Sequence, residues 1–236
     1  MFIDTTTRID SYEIMDDFAL EGCELRDALD KIAKINQLLG GNKLTLQGVK
    51  SLVPKISNRQ ITIVDVGCGN GDMLRALADF GKDNNLDLKL IGIDANAFTV
   101  NYARGLSANH KNISYQCEDV FGEAFKELDY DIVLCTLTLH HFKDAGILYL
   151  VDVFKKQSRI GIVINDLQRS AIAYRLFQLI CFIFRLNDMS REDGLVSILR
   201  GFKKKELQLY SKQLNLKKYT IRWKWAFRYQ WIISTI

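Results

Sequence analysis

Val64–Asp72, VDVGCGNGD, decides the architecture. It follows Ile61 to Val66 (ITIVDV), a short apolar, β-branched run that reads as a buried strand, and it opens Asp72 to Phe80, which reads as a helix. Gly67, Gly69 and Gly71 alternate through the turn, so the chain can reverse sharply there and its backbone can approach a ligand closely. Alternating glycines alone carry little information. Between a strand and a helix they mark a ligand-binding turn.

The same alternation of elements continues downstream. Leu88 to Ile93 (LKLIGI), Ile113 to Cys117, Asp131 to Thr136 (DIVLCT) and Ile160 to Ile164 (IGIVI) read as further strands. Helical patterns over Ala97 to Leu106 and Ala145 to Phe154 fall between them. Strands that are apolar on both faces and separated by helices imply a parallel sheet covered on both sides, with right-handed crossovers. Upstream, Leu25, Leu29, Ile32, Ile35 and Leu39 form the apolar stripe of a helix that Gly40-Gly41 can end, and a short helix is expected from Leu46 to Leu52. Pro54, the single proline, marks a boundary between an N-terminal helical cap, 1–54, and the main domain, 55–236.

Downstream of the fifth strand, Leu176 to Leu186 (LFQLICFIFRL) is too short and interrupted to span a bilayer, and reads as a helix buried over a core, with a greasy wall for a lipophilic substrate or shallow membrane contact as the alternatives. The polar stretch NDMSREDG reads as a hinge before helices at Leu195 to Leu199 and Lys204 to Lys212. Tyr219 to Trp225 and Phe227 to Ser234 suit an antiparallel hairpin at the sheet edge. The expected fold is therefore α/β, a Rossmann-like doubly wound sheet with a helical insertion at about 167–202, before the last two strands.

Composition is consistent with this. The 236 residues are 48% apolar and 25% charged, which excludes wholesale disorder and fibrous structure. A net charge of +4, with short basic runs at Lys203-Lys204-Lys205 and Lys217-Lys218, is too mild to argue for nucleic acid. Five scattered cysteines without CxxC or zinc spacing read as free thiols of a reducing, cytoplasmic compartment. No signal peptide or transmembrane segment is expected, and a monomer or homodimer acting on a small molecule is.

The charges around the turn choose its ligand. Asp65 ends the strand, Asp72 starts the helix, and no Lys or Arg follows until Arg75, so a pyrophosphate would be repelled. A phosphate-free adenosine bearing positive charge would be welcome, and S-adenosylmethionine has both a sulfonium and an ammonium group. Asp94 lies 23 residues after Gly71, at the end of the second strand, where a carboxylate can accept from a ribose diol. Glu118-Asp119 ends the third strand; Asp119 could accept from the adenine amino group while the Val120 amide donates to the ring.

With VDVGCGNGD, LIGIDAN, CEDVF and YDIVLCTLTLHHF in place, the chain resembles the class I S-adenosylmethionine-dependent methyltransferases over about Ile61 to Asp166. The resemblance implies a seven-stranded sheet with its last strand antiparallel. It implies a cofactor site built from Asp65, Gly67, Cys68, Gly69, Asp94, Ala95, Asp119, Val120 and Cys135, with backbone at Cys135 or Thr136 near the sulfonium and S-adenosylhomocysteine as product. More narrowly, MDDF near Met15, INQLLGG, INDLQRS and REDGLVSILRGFKKKEL resemble small-molecule methyltransferases associated with bacterial polyketide genes. That likeness implies a phenolic or polyketide-derived hydroxyl as acceptor, with an activated ring carbon as the alternative. A nicotinamide-dependent oxidoreductase and a non-catalytic binding module are the readings from other classes.

His140 and His141 follow the fourth strand, at the edge where an open α/β sheet binds its ligands. One of them could act as a base, or the pair could line the pocket; adjacent histidines are expected to point apart. Asp166 could bind substrate, orient a histidine, or cap the next helix. Arg169 could meet an acidic substrate group or form a surface salt bridge. Arg191, with Glu192 and Asp193, belongs to a lid over the substrate or to a solvated turn. Asn36 and Lys43 could touch the methionine carboxylate.

Overall fold

The computed structural model describes residues 3–53 and 59–236. Seven strands form one sheet in the order β3-β2-β1-β4-β5-β7-β6. They are β1 (Ile61–Val66), β2 (Leu88–Asp94), β3 (Ile113–Cys117), β4 (Tyr130–Thr136), β5 (Ser158–Leu167), β6 (Tyr219–Lys224) and β7 (Arg228–Ser234). β1 to β5 run parallel, and β7 is antiparallel to both β5 and β6. The doubly wound sheet and its antiparallel last strand are as expected. Pro54 lies outside the described residues, so the boundary placed there does too.

Alternating residues feed two cores. Ile61 and Ile63 of β1 pack with Val49, Leu74, Leu77 and Val100, from α2 (Gly41–Leu52), α3 (Asp72–Asp83) and α4 (Ala97–Leu106). Val64 and Val66 face the other layer, with Phe125, Phe154 and Leu207 from α5 (Glu123–Lys126), α6 (Asp144–Gln157) and α9 (Lys204–Gln213). Strands buried on both faces need this period-two division, and it accounts for their near-continuous apolar sequence.

The segments that cover the carboxyl edge come from both ends of the sheet domain. Residues 3–22 run as an extended strap with one 3-10 turn at Ile14–Asp16, followed by α1 (Cys23–Leu38) and α2. Gly40, at φ 76°, lets α2 begin at once, with Gly41 in its first turn, so this helix is longer than its apolar pattern suggests. Asn165 ties α2 to the sheet by donating to Gly41 O and Thr45 Oγ1, and Gln230 donates to Leu44 O.

On the opposite side, α7 (Ala171–Phe184) and α8 (Asp188–Arg200) form the insertion after β5. NDMSREDG is not a hinge: Asn187 caps α8 by accepting from Ser190 N–H, and the helix runs unbroken through Gly194. A Cβ at Gly194 would collide with the ring of Phe177 on α7, so this glycine serves close helix packing. Nor is α7 a buried helix. Only Ala173 and Cys181 on it are buried, while Leu179, Phe182 and Ile183 are exposed.

Candidate active site

A cavity of about 990 Å³ opens at the carboxyl edge, between the strap, α1, α7, α8 and the strand ends. Its volume lies at the top of the roughly 300–1,000 Å³ range of small-molecule sites, so it can hold two reactants. The glycine turn forms one end. Gly67, Gly69 and Gly71 have φ of 68°, 52° and 77°, conformations that other residues adopt with strain. A Cβ at Gly67 would run into Thr138, and one at Gly71 into the Tyr115 hydroxyl. A Cβ at Gly69 would meet only the Leu29 side chain, at 3.7 Å, so the turn is less crowded there.

The carboxylates around this turn sit as the charge argument requires. Asp94 accepts from Gly69 N–H at 3.1 Å and Asn96 N–H at 3.1 Å, which aims it across the turn. Burial raises its pKa, and those two donors offset part of that rise. Asp65 is fully buried and its Oδ1 has no partner among the described residues. Burial, with Asp72 and Asp94 nearby, holds its pKa well above the usual carboxylate range. An orphaned buried carboxylate at the end of a cavity is a place prepared for a cation. Cys68, Ala95, Asp119 and Val120 also line this end. Cys135 does not. It is buried in the core between β1 and β5, and Thr136, Leu137 and Thr138 line the cavity in its place. Leu137 has φ 54°, a strained conformation at the strand exit.

Farther along the cavity, the two histidines do not point apart. The turn Leu139–His141 stacks their rings with centroids 4.4 Å apart, and both Nε2 atoms face Glu13. His140 Nε2 lies 3.9 Å from Glu13 Oε1, and His141 Nε2 lies 3.9 Å from Glu13 Oε2. Each Nδ1 is held by its own carboxylate, His140 by Asp166 at 2.7 Å and His141 by Asp16 at 2.6 Å. An ionised carboxylate accepts, so both Nδ1 atoms carry hydrogen, and in the neutral form of each ring Nε2 presents a lone pair. Arg200 fastens the group together, donating to Glu13, Asp16, His140 O and His141 O.

These acids differ in environment. Burial raises the pKa of Glu13, only partly offset by His141, Ser197 and Arg200. Burial also acts on Asp16 and Asp166, but hydrogen bonding and charge from His141 and Arg200, and from His140, leave both below the ordinary value.

Asp166 is thus neither a helix cap nor a substrate contact. Ser170 caps α7, accepting from Ala173 N–H, and Asp166 is buried behind His140. Arg169 neither reaches the cavity nor lies at the surface. It is fully buried, paired with Glu206, and donates to Thr5 O and Thr6 O, so it anchors the strap. Arg191 is half-exposed, pairs with Asp188 and Glu192, and does not line the cavity. Asp193 faces inward and accepts from Ile14 N–H and Met15 N–H. Asn36 lines the cavity, where it accepts from Arg228 at 2.7 Å; Lys43 does not line it.

Glu13, Asp16, Arg200 and Arg228 were not among the residues singled out from sequence. Asp16 and Arg200 fall inside MDDF and REDGLVSILRGFKKKEL, so the signal was present without a role attached.

Residues 63–156 match the family described as methyltransferase domain. A stretch of 117 residues is 28% identical to malonyl-[acyl-carrier protein] O-methyltransferase of Acetivibrio thermocellus, covering 50% of this chain and 37% of that protein. The chain spans a little over a third of the length of the curated relatives it matches. The fold is similar to that of the plantazolicin methyltransferase BpumL in complex with S-adenosylhomocysteine, at 18% identity and TM-score 0.65, covering 89% of this chain and 95% of that one. It is similar also to the CurJ carbon methyltransferase, at 12% identity and TM-score 0.58, covering 81% and 54%. Residues 63–156 thus match a methyltransferase domain, and the chain shares its fold with methyltransferases of known structure.

Proposed function

We propose that the protein moves a methyl group from S-adenosylmethionine to a hydroxyl oxygen of a small, lipophilic, phenolic or polyketide-derived acceptor. The observation that carries this reading is the pair of imidazoles, each held at Nδ1 by a carboxylate, in the same cavity as the acidic glycine turn.

The residues fit the cofactor. Gly67 and Gly69 present bare backbone to the cavity, Asp65 and Asp94 welcome positive charge and a ribose diol, and Asp119 and Val120 border the place of the adenine. When bound, S-adenosylmethionine supplies an electrophilic methyl carbon on a sulfonium. The chain's own task is to position the acceptor and manage its proton. A hydroxyl must lose that proton as its oxygen attacks, and His140 and His141, oriented by Asp166 and Asp16, offer acceptors for it. A ring carbon ordinarily needs deprotonation only after attack; two oriented imidazoles and a carboxylate suit the earlier demand of a hydroxyl better.

The far wall supports a greasy acceptor. Leu176, Phe177, Ile180 and Ile183 of α7 line the cavity with Phe18, Ile32 and Trp225. Incubating the purified protein with S-[methyl-³H]adenosylmethionine and a panel of alkylphenols and alkyl-resorcinols, with mass spectrometry of the products, tests the reading. Methyl ethers are expected. Label found exclusively on ring carbon would replace O-transfer with C-transfer, and absence of turnover with every hydroxylated acceptor would count against both.

A further inference from the structure

We infer that Glu13, His140 and His141 form a binding site for one divalent transition-metal ion of the zinc type, open toward the acceptor cavity. The inference rests on the O-methylation reading for what the ion would do there, and on geometry alone for its binding.

The ligand set is complete on one side. Nε2 of His140, Nε2 of His141 and a carboxylate oxygen of Glu13 lie within 4.8 Å of one another. Donors about 2.1 Å from a tetrahedral ion stand about 3.4 Å apart, so the 3.9 Å separations from Glu13 need to close by roughly half an ångström. Two imidazoles and a carboxylate with a fourth position left open is the donor pattern of a reactive zinc site. Imidazole nitrogen favours zinc, iron or nickel over magnesium.

The surroundings point the same way independently. His140 is 2% exposed and its Nε2 is buried without a hydrogen-bond partner among the described residues. Each imidazole is backed at Nδ1 by a carboxylate, the arrangement that fixes a metal-binding histidine in its tautomer and raises its donor strength. Without an occupant, two ring nitrogens converge on a buried carboxylate and stop at 3.9 Å from it, too far for a hydrogen bond. Ser197 and Arg200 already donate to Glu13, yet each of its oxygens keeps a further lone pair.

Charge is also in deficit. Glu13, Asp16, Asp166 and Asp193 gather around the site, against Arg200 and the more distant Arg228; Arg8, which donates to His140 O, is itself paired with Asp144. A dication would offset the remaining negative charge. Placed there, it would take over the task assigned above to an imidazole: the acceptor oxygen would bind the ion, shed its proton to solvent and be held as an oxyanion.

The test is metal binding by the full chain, read without turnover. Protein dialysed against chelator is titrated with Zn²⁺ by calorimetry and with Co²⁺ by visible absorption. One equivalent is expected, with the intense visible bands of tetrahedral cobalt. Glu13→Gln and His140→Ala should weaken Zn²⁺ binding at least 100-fold, and Asp166→Asn by about 10–100-fold, as loss of a backing carboxylate does. Should those variants unfold, X-ray absorption on zinc-loaded wild type still decides: two imidazoles at about 2.0–2.1 Å support the site. Wild type that takes up no stoichiometric Zn²⁺, prefers Mg²⁺, or shows fewer than two imidazoles overturns the inference, as do folded variants that bind like wild type. Methyl transfer that survives chelation in a protein without metal overturns the task given to the ion and leaves the O-methylation reading standing. Stoichiometric metal with no O-methylation of any acceptor supports the site and overturns that reading.

Discussion

His140 and Asp166 meet twice: the imidazole Nδ1 lies 2.7 Å from Oδ1, and the His140 main-chain N–H donates to Oδ2 at 3.1 Å. Leu167 N–H donates to Oδ1 as well, at 2.7 Å. One fully buried carboxylate therefore fixes the ring, its tautomer and the turn that carries it.

Asp166→Asn offers a single oxygen to these three donors. The variant should lose about 1–3 kcal/mol of stability, because a buried donor is left unmet. Its kcat should fall on the order of 100-fold or more, since the His140 lone pair is no longer held at Nε2. KM for S-adenosylmethionine should not change, because Asp94 and the glycine turn are untouched. A matched rise in that KM would show that Asp166 supports the cofactor end instead.

Asp65 provides a pH-dependent prediction. Its folded-state pKa is well above the unfolded one, owing to burial and to Asp72 and Asp94, so the folded protein holds the proton more tightly. Stability contributed in this way is present below the unfolded pKa of about 3.9 and drains away as pH rises toward the folded value. Asp65→Asn removes the dependence. Without cofactor, the variant should melt higher than wild type at neutral pH, with the gap growing from pH 5 upward. The gain in Tm on adding S-adenosylmethionine should be smaller in the variant, because the carboxylate that meets positive charge is gone. Parallel Tm curves across pH would refute this.

Gly67→Ala separates the turn from the fold. A left-handed φ costs a residue with a Cβ about 1–2 kcal/mol, and Thr138 must also move. Thermal unfolding should drop by roughly 2–8 °C. Binding of S-adenosylhomocysteine should weaken at least tenfold by calorimetry, because the displaced segment forms the cavity wall. Unchanged affinity would mean the cofactor does not rest on this turn.

The sheet and its glycine turn could be read from sequence because both depend on local rules. Period-two burial and alternating glycines report themselves within ten residues. The glycine end of the cavity was legible for the same reason: Asp65, Gly67, Gly69 and Asp94 sit at strand ends whatever else the chain does. The histidine end was not. Glu13 and Asp16 meet His141 across more than 120 residues, through a strap with no periodic pattern. Arg169 illustrates the limit: nothing local distinguishes a surface arginine from one buried against Glu206 to hold residues 5 and 6. Leu176 to Leu186 is ambiguous by composition, since a helix that walls a ligand cavity is as greasy as one that fills a core, and only the fold chooses the wall.

Arg169 makes that contrast measurable. Arg169→Ala leaves Glu206 without its buried partner, and releases Thr5 O and Thr6 O. Glu206 is partly exposed and can be hydrated, so losing the pair and its hydrogen bonds costs about 1–3 kcal/mol, below the penalty for a stranded buried charge. The variant should unfold at markedly lower temperature or denaturant concentration, while the protein that stays folded keeps its KM for acceptor. A large rise in acceptor KM with unchanged stability would return Arg169 to the substrate.

The apolar wall of α7 predicts chain-length selectivity. Leu176 and Ile183 line the cavity although each is also well exposed, so a polar side chain at either position can be solvated without unfolding the helix. Ile183→Gln should therefore change Tm little. It should raise KM for acceptors with long alkyl tails while leaving short phenols as they were. Each buried CH₂ contributes about 0.8 kcal/mol, so losing contact with two methylenes gives a change on the order of tenfold in kcat/KM. Plotting log kcat/KM against tail length should show a slope for wild type and a plateau in the variant. Identical slopes would place the tail elsewhere, against α1 or the strap, and would free α7 from any part in selecting the acceptor.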